Sequence, residues 1–135
     1  MVDPRYGGVL FWPLKQWVTE GIMMADAAVD AVVSADGSLI IRPRGVLGAE
    51  DAVDLRHTLV HAVRHVRPLR LILDLRDVHD LDSINVGTLV AACHLGDDHQ
   101  VAVFLDNSSV TVAGRLAAAG VAAHRLRHVG RPLAA

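Results

Sequence analysis

The sequence predicts an α/β domain with a mixed, mostly parallel sheet of about four to five strands and helices packed against it. After an opening pair of β-branched runs, helix-like and strand-like segments alternate from residue 49 to residue 126. Such alternation requires right-handed crossovers and produces parallel strands. The run 69–75 is almost continuously apolar, which is typical of a strand that is covered on both faces or lies centrally in a sheet.

Composition narrows the class of protein. The 135 residues are 52% apolar, which suits one compact domain that needs no disulfides. We interpret the single cysteine, Cys93, as a core residue, because it falls on the apolar face of a predicted helix. The net charge is -2, so the chain lacks the excess of basic residues that is typical of nucleic-acid-binding proteins. We therefore predict that nucleic acid is not a partner. No apolar stretch could cross a bilayer, so we expect a cytoplasmic protein without membrane insertion.

Residues 1–28 differ from the rest and are predicted to be a leader, either flexible or a start-site extension ahead of Met23. Both tryptophans and the only tyrosine lie here, and Pro4 and Pro13 interrupt regular elements. The alternative is an aromatic arm that packs on a second subunit, so a homodimer is one possible oligomeric state. Residues 29–128 are the predicted domain, and residues 129–135 a frayed tail.

The predicted domain opens with a β-hairpin. Two β-branched runs, 31–33 and 39–43, flank Asp36-Gly37, and glycine tolerates the positive φ of a tight turn.

Residues 43–48 are interpreted as a loop. A helix is predicted over residues 49–65, with acidic residues near its start. Its predicted core stripe consists of Ala52, Leu55, Leu59, Ala62, Val63 and Val66.

Three histidines of this helix, His57, His61 and His65, share one face at a spacing that allows two imidazoles to bind one metal ion. The face lies away from the core stripe, and no carboxylate or cysteine is placed to complete a dry site. We interpret it as a solvated face and predict no metal site.

The central strand leads to the residue that most needs explanation, Ser83. A short apolar and acidic turn, 78–82, follows the strand and places Ser83 at the start of a helix. A serine oxygen can accept a free N–H of the first helical turn, so capping alone is one interpretation. The apolar face of that helix is formed by Val86, Leu89, Val90 and Cys93.

The remaining elements follow the same alternation. Residues 96–99 are predicted to form a turn and residues 100–105 a strand. Residues 107–109 begin another helix, which Gly120 ends as the residue beyond the cap. A short strand is predicted over residues 121–126, and residues 127–132 are predicted to be frayed.

The sequence contains no recognisable catalytic arrangement. Ser83 lacks the flanking glycines of a nucleophile elbow, and residues 45–48 lack the ending of a phosphate loop. An acidic cluster could suggest magnesium-dependent phosphoryl transfer, but exposed aspartates are also ordinary turn formers. We therefore predict no enzyme and no cofactor, with catalysis as the last-ranked alternative. The cluster consists of Asp74, Asp77, Asp80 and Asp82.

One group of residues resembles a known family. The chain from about residue 29 to residue 126 is similar to the STAS domain of anti-sigma factor antagonists, a family with this order of elements. The residues that carry the resemblance are the run 71–75, Val78, Leu81-Asp82-Ser83, Gly87, Leu89 and the run 116–121.

The resemblance implies a STAS-like fold and a partner-switching function. In such antagonists the serine of the Asp-Ser pair is phosphorylated by the anti-sigma factor, which is itself a serine kinase, and the unphosphorylated antagonist binds that kinase and frees the sigma factor. Carried over, Ser83 is the phosphoacceptor. The predicted partner-binding residues are Asp82, Ser83, Ile84, Asn85 and Thr88. A STAS-like scaffold subunit of a lipid-transport or sensor complex, in which Ser83 only caps, is the alternative.

Overall fold

The computed structural model describes residues 2–3, 9–12 and 29–130. Three α-helices are seen in the described residues: α1 (Ala52–His61), α2 (Ser83–Asp98) and α3 (Val110–Ala118). The strands are β1 (Val2–Asp3), β2 (Val9–Trp12), β3 (Val29–Val33), β4 (Ser38–Pro43), β5 (Gly45–Leu47), β6 (Arg70–Asp74), β7 (Val78–Leu81), β8 (Ala102–Asp106) and β9 (Leu126–Arg127).

The strands form two sheets. The larger has the order β1-β2-β3-β4-β6-β8-β9, in which β4, β6, β8 and β9 run parallel and the first three strands form an antiparallel edge. The smaller sheet pairs β5 with β7 in parallel. The predicted α/β class, with a mixed, mostly parallel sheet and an opening hairpin, is confirmed. β1 and β2 come from the predicted leader; its other residues and residues 131–135 lie outside the described part of the chain.

The hairpin and the first helix form where the sequence predicts them. β3 and β4 pair antiparallel, with Gly37 at a φ of +88° in the turn between them. A 3-10 turn, Ala49–Asp51, leads into α1, and a π turn, Ala62–Val66, continues it. Five of the predicted stripe residues are buried and Val66 is half-buried, so the apolar periodicity identified the packed face correctly.

The core lies between the larger sheet and the three helices. Alternate residues of the parallel strands, among them Leu71 and Leu73 of β6, are fully buried together with Leu59 of α1 and Leu89 of α2. β6 is central in the sheet, but its intervening residue Ile72 is only half-buried, so helices do not cover both faces. No described helix is long and apolar enough to span a membrane.

Cys93 belongs to this core, as predicted. Its side chain is 5% exposed and lies in the same cluster as the helix and sheet residues. Burial raises the pKa of the Cys93 thiol, which favours the protonated form and keeps the sulfur unreactive.

Two segments differ from the prediction. Residues 43–48, interpreted as a loop, contain β5, and residues 78–82, interpreted as a turn, contain β7. Each strand is very short and finds its hydrogen-bonding partner more than thirty residues away, with Gly45 opposite Val78. Neither local period nor turn chemistry reveals such a pair, since the pairing exists only once the chain is folded.

The boundaries near the C-terminal end also differ. α2 continues through the predicted turn to Asp98, and the chain reverses at Gln100, which has a φ of +61°. Half of the predicted strand 121–126 is a 3-10 turn, Ala123–Arg125, and β9 begins only at Leu126. Arg127, expected in the frayed tail, instead donates through Nε to Asp106 at 2.7 Å. Gly120, with a φ of +108°, ends α3 as predicted.

Gly96→Ala should destabilise the fold by about 1 to 3 kcal/mol, because it overpacks the contact between α2 and β8. A Cβ at Gly96 would lie 2.5 Å from Val103 Cγ2 and 2.6 Å from the backbone oxygen of Val101, which cannot rotate away. Gly87→Ala, in open space on the same helix, is the matched control and should be neutral or stabilising. Urea denaturation measures both, and equal stability of the two variants would contradict the packing at Gly96.

Candidate functional site

Ser83 is the first residue of α2, and it does not cap the helix. Asp82 is the N-cap: its backbone is extended, with φ -63° and ψ 150°, and its Oδ1 accepts the Ile84 backbone N–H at 3.0 Å. Ser83 lies inside the first helical turn, after the N-cap residue. The interpretation of the Ser83 oxygen as the cap is therefore wrong. Its side chain is exposed, and no hydrogen bond of its hydroxyl to another described residue is observed.

Asn85, also predicted to bind a partner, is fully buried, so its side chain is not part of the exposed surface at the start of α2. Its Nδ2 donates to the backbone oxygens of Leu47 at 2.9 Å and Gly48 at 2.7 Å. These two bonds fix the start of α2 to the end of β5. The sequence could not reveal this role, because β5 itself was not recognised.

The other predicted partner-binding residues do share one surface. Asp82 and Ser83 are exposed, Ile84 is 52% exposed, and Thr88 is half-buried one turn further along the helix. The Thr88 hydroxyl donates back to the Ile84 carbonyl at 3.0 Å. We refer to Asp82, Ser83, Ile84 and Thr88 as the Ser83 surface. It combines a hydroxyl, an exposed apolar side chain and a carboxylate at the start of α2.

A groove of about 440 Å³ lies beside this surface, between α2 and α3. Arg115 of α3 is the one charged side chain among the described residues that line it. The Nη1 of Arg115 donates to Asp80 Oδ1 of β7 at 2.8 Å. Arg115 carries no signal in the sequence, because its partner lies 35 residues away and no local pattern connects the two residues. The residues that line the groove are Ser83, Val86, Gly87, Arg115, Ala118 and Ala119.

The aspartates that suggested a magnesium site are engaged by basic side chains or by backbone N–H groups. Buried Asp74 accepts from Arg76 Nε at 3.0 Å, and Asp77 accepts from Arg42 at 2.7 Å. Arg42 also lies 3.8 Å from Asp74, so it bridges these two carboxylates. Asp80 pairs with Arg115, while Asp82 caps α2. The described residues contain no cluster of three or more potential metal ligands. This arrangement does not support the magnesium-dependent alternative.

The histidine face of α1 is largely solvated, as predicted. His57 and His65 are exposed and His61 is half-buried, with the His61 and His65 rings stacked at a centroid distance of 5.1 Å.

Residues 30–128 match the family model of the STAS domain, and the chain belongs to this family. STAS domains are typically regulatory and non-catalytic. No curated protein sequence matches the chain significantly.

Solved structures with the same fold have diverse roles. The chain is 18% identical to the anti-sigma factor antagonist SpoIIAA in its unphosphorylated form, with a TM-score of 0.57 over 64% of this chain and 79% of that one. It is 17% identical to the phosphorylated form of SpoIIAA from Bacillus, a cell fate determinant, with a TM-score of 0.62 over 73% and 88%. A sulfate transporter family protein from Wolinella succinogenes is 22% identical, with a TM-score of 0.60 over 71% and 80%. At these identities the likeness shows the fold alone.

Proposed function

We propose that this chain is an anti-sigma factor antagonist, which binds an anti-sigma serine kinase and is switched by phosphorylation of Ser83. The observation that carries the proposal is the position of the Ser83 hydroxyl. It is exposed at the start of α2 while Asp82 performs the capping that a serine in this place would otherwise perform. A hydroxyl that the fold does not use can be modified without loss of structure.

The proposed modification is a phosphoryl transfer. The Ser83 oxygen attacks the γ-phosphorus of ATP, an O–P bond forms, the bond to the bridging oxygen of ADP breaks, and the hydroxyl proton passes to a base of the kinase. The phosphate adds a charge of about -1.5 to -2 at the N-terminal end of α2, where the helix dipole favours negative charge. The domain is therefore expected to stay folded in both states.

The switch acts on the Ser83 surface. In the unphosphorylated state Ile84 offers exposed apolar area beside a small polar group, a combination suited to the centre of an interface. In the phosphorylated state, a strongly hydrated dianion stands at that place and must be desolvated when a partner docks. Asp82 and Asp80, both exposed, add to the negative field. The kinase is released because the desolvation and repulsion of the charged surface outweigh the favourable contacts of the interface.

A second candidate is a STAS-like scaffold subunit of a lipid-transport or sensor complex that is never phosphorylated. The same fold in a sulfate transporter family protein from Wolinella is the reason to keep this candidate. Co-purification separates the two: an antagonist is recovered with a soluble serine kinase, whereas a scaffold subunit is recovered with a membrane ATPase. Recovery of the ATPase alone would count against the antagonist.

Ile84→Lys should reduce affinity for the purified kinase about tenfold or more, because it replaces exposed apolar area at the centre of the proposed interface with a charge. Leu69→Lys is the matched control: Leu69 is 69% exposed, but it precedes β6 at the opposite end of the strand from Ser83. Isothermal titration calorimetry measures both variants. Retained affinity in Ile84→Lys would place the interface elsewhere.

A further inference from the structure

Ser83 of α2 and Arg115 of α3 line the same groove, in which Arg115 is the one charged side chain among the described residues. In the unphosphorylated chain the guanidinium is paired with Asp80, and this pair is open to solvent, with the two side chains 40% and 58% exposed. Exposed ion pairs of this kind contribute little to stability, so this one can be exchanged for a stronger pair.

We infer that Arg115 binds the phosphate in the phosphorylated state. The Arg115 guanidinium then exchanges its ion pair with Asp80 for one with the phosphate on Ser83. The inference rests on the proposed phosphorylation of Ser83 and names the group that recognises it. A phosphate has three acceptor oxygens and about twice the charge of a carboxylate. The planar guanidinium suits such a group because it can donate two parallel hydrogen bonds.

The exchange changes more than the charge at one residue. Once Arg115 turns to the phosphate, the exposed Asp80 carboxylate on β7 loses its cationic partner and keeps the hydrogen bond that its Oδ1 accepts from the Leu81 backbone N–H at 2.8 Å. The phosphorylated protein then presents a phosphate bound by Arg115 and, on β7, a carboxylate without a counter-charge. A docking partner therefore meets a rearranged polar surface, and the state of Ser83 is transmitted from α2 to α3 and β7.

The test uses the full chain with phosphoserine inserted at position 83 during translation. The phosphate is titrated by ³¹P NMR in the otherwise unchanged protein and in Arg115→Gln, Arg115→Lys and Arg56→Gln. Arg56 is the matched control, because its loss changes the net charge equally while it lines the other side of α2, in the groove with α1.

We expect the titration midpoint to lie about half a pH unit higher in Arg115→Gln, since a paired cation favours the dianion. Arg115→Lys should recover most of the difference, and Arg56→Gln should match the unchanged protein. An unaltered midpoint in Arg115→Gln, or an equal change in Arg56→Gln, would overturn the inference. Because no kinase is used, these results are independent of whether Ser83 is phosphorylated by one, and the two proposals fail separately.

Discussion

Asn85→Asp should lower the free energy of unfolding by about 3 to 5 kcal/mol, whereas Ser83→Asp, two residues earlier, should change it by less than about 0.5 kcal/mol. Asn85 is fully buried and donates to two backbone oxygens. An aspartate of the same shape would place a carboxylate oxygen against those oxygens, with neither a donor nor a counter-charge. At Ser83 the same carboxylate is exposed to water.

The deficit of Asn85→Asp should depend on pH in a defined direction. The folded state disfavours the buried carboxylate, so the pKa of the introduced group is raised above its unfolded value. The unfolded state therefore releases this proton first as pH rises. The loss of folding stability caused by Asn85→Asp grows from acidic towards neutral pH. Below the unfolded pKa the group is neutral in both states and can donate one hydrogen bond, so the deficit shrinks.

Urea denaturation of both variants at pH 7 and pH 4, each compared with the original chain at the same pH, measures these effects. Thr88→Asp on the half-buried part of the same helix is an additional control. A mild effect of Asn85→Asp that does not vary with pH would mean that Asn85 does not hold α2 to β5 as described.

Ser83→Asp should weaken binding to the kinase at least about tenfold, which corresponds to about 1.4 kcal/mol. The variant places a permanent negative charge on the Ser83 surface, beside Asp82, and imitates part of the phosphate charge. The loss should be larger at low ionic strength, where repulsion between exposed charges is less screened.

Ser109→Asp is the matched control for binding. Ser109 is the N-cap of α3, where its oxygen accepts the Val112 N–H at 3.1 Å, and aspartate caps a helix equally well. It therefore adds the same charge at the start of a neighbouring helix without disturbing the fold. Equal affinity of Ser83→Asp and the original chain for the kinase would contradict the switch. Equal losses of affinity in Ser83→Asp and Ser109→Asp would mean that only net charge weakens binding.

Local chemistry made much of the fold predictable. The turn at Gly37 and the ends of α3 at Ser109 and Gly120 depend on backbone angles and caps that neighbouring residues determine. The buried stripe of α1 follows from its apolar period. Features of this kind are present in any short window of the sequence, so pattern and propensity are enough to find them.

The site depends on distant contacts and was only partly predictable. Asn85 appears as one more polar residue beside Ser83 until β5 supplies the two backbone oxygens that it binds. Arg115 acquires its position from the packing of α3 beside β7. Even the division of roles between Asp82 and Ser83 required the backbone angles at the helix start, because both residue types are good caps.

The most direct test of the proposed switch is phosphosite mapping. The purified chain is incubated with ATP and a soluble lysate of its source organism that phosphorylates a known substrate, and the product is analysed by mass spectrometry with Ser83→Ala in parallel. We predict one phosphate on Ser83 in the original chain and none in the variant. An unmodified Ser83, or a phosphate that persists at another residue in Ser83→Ala, would contradict the switch and leave the STAS domain as a scaffold.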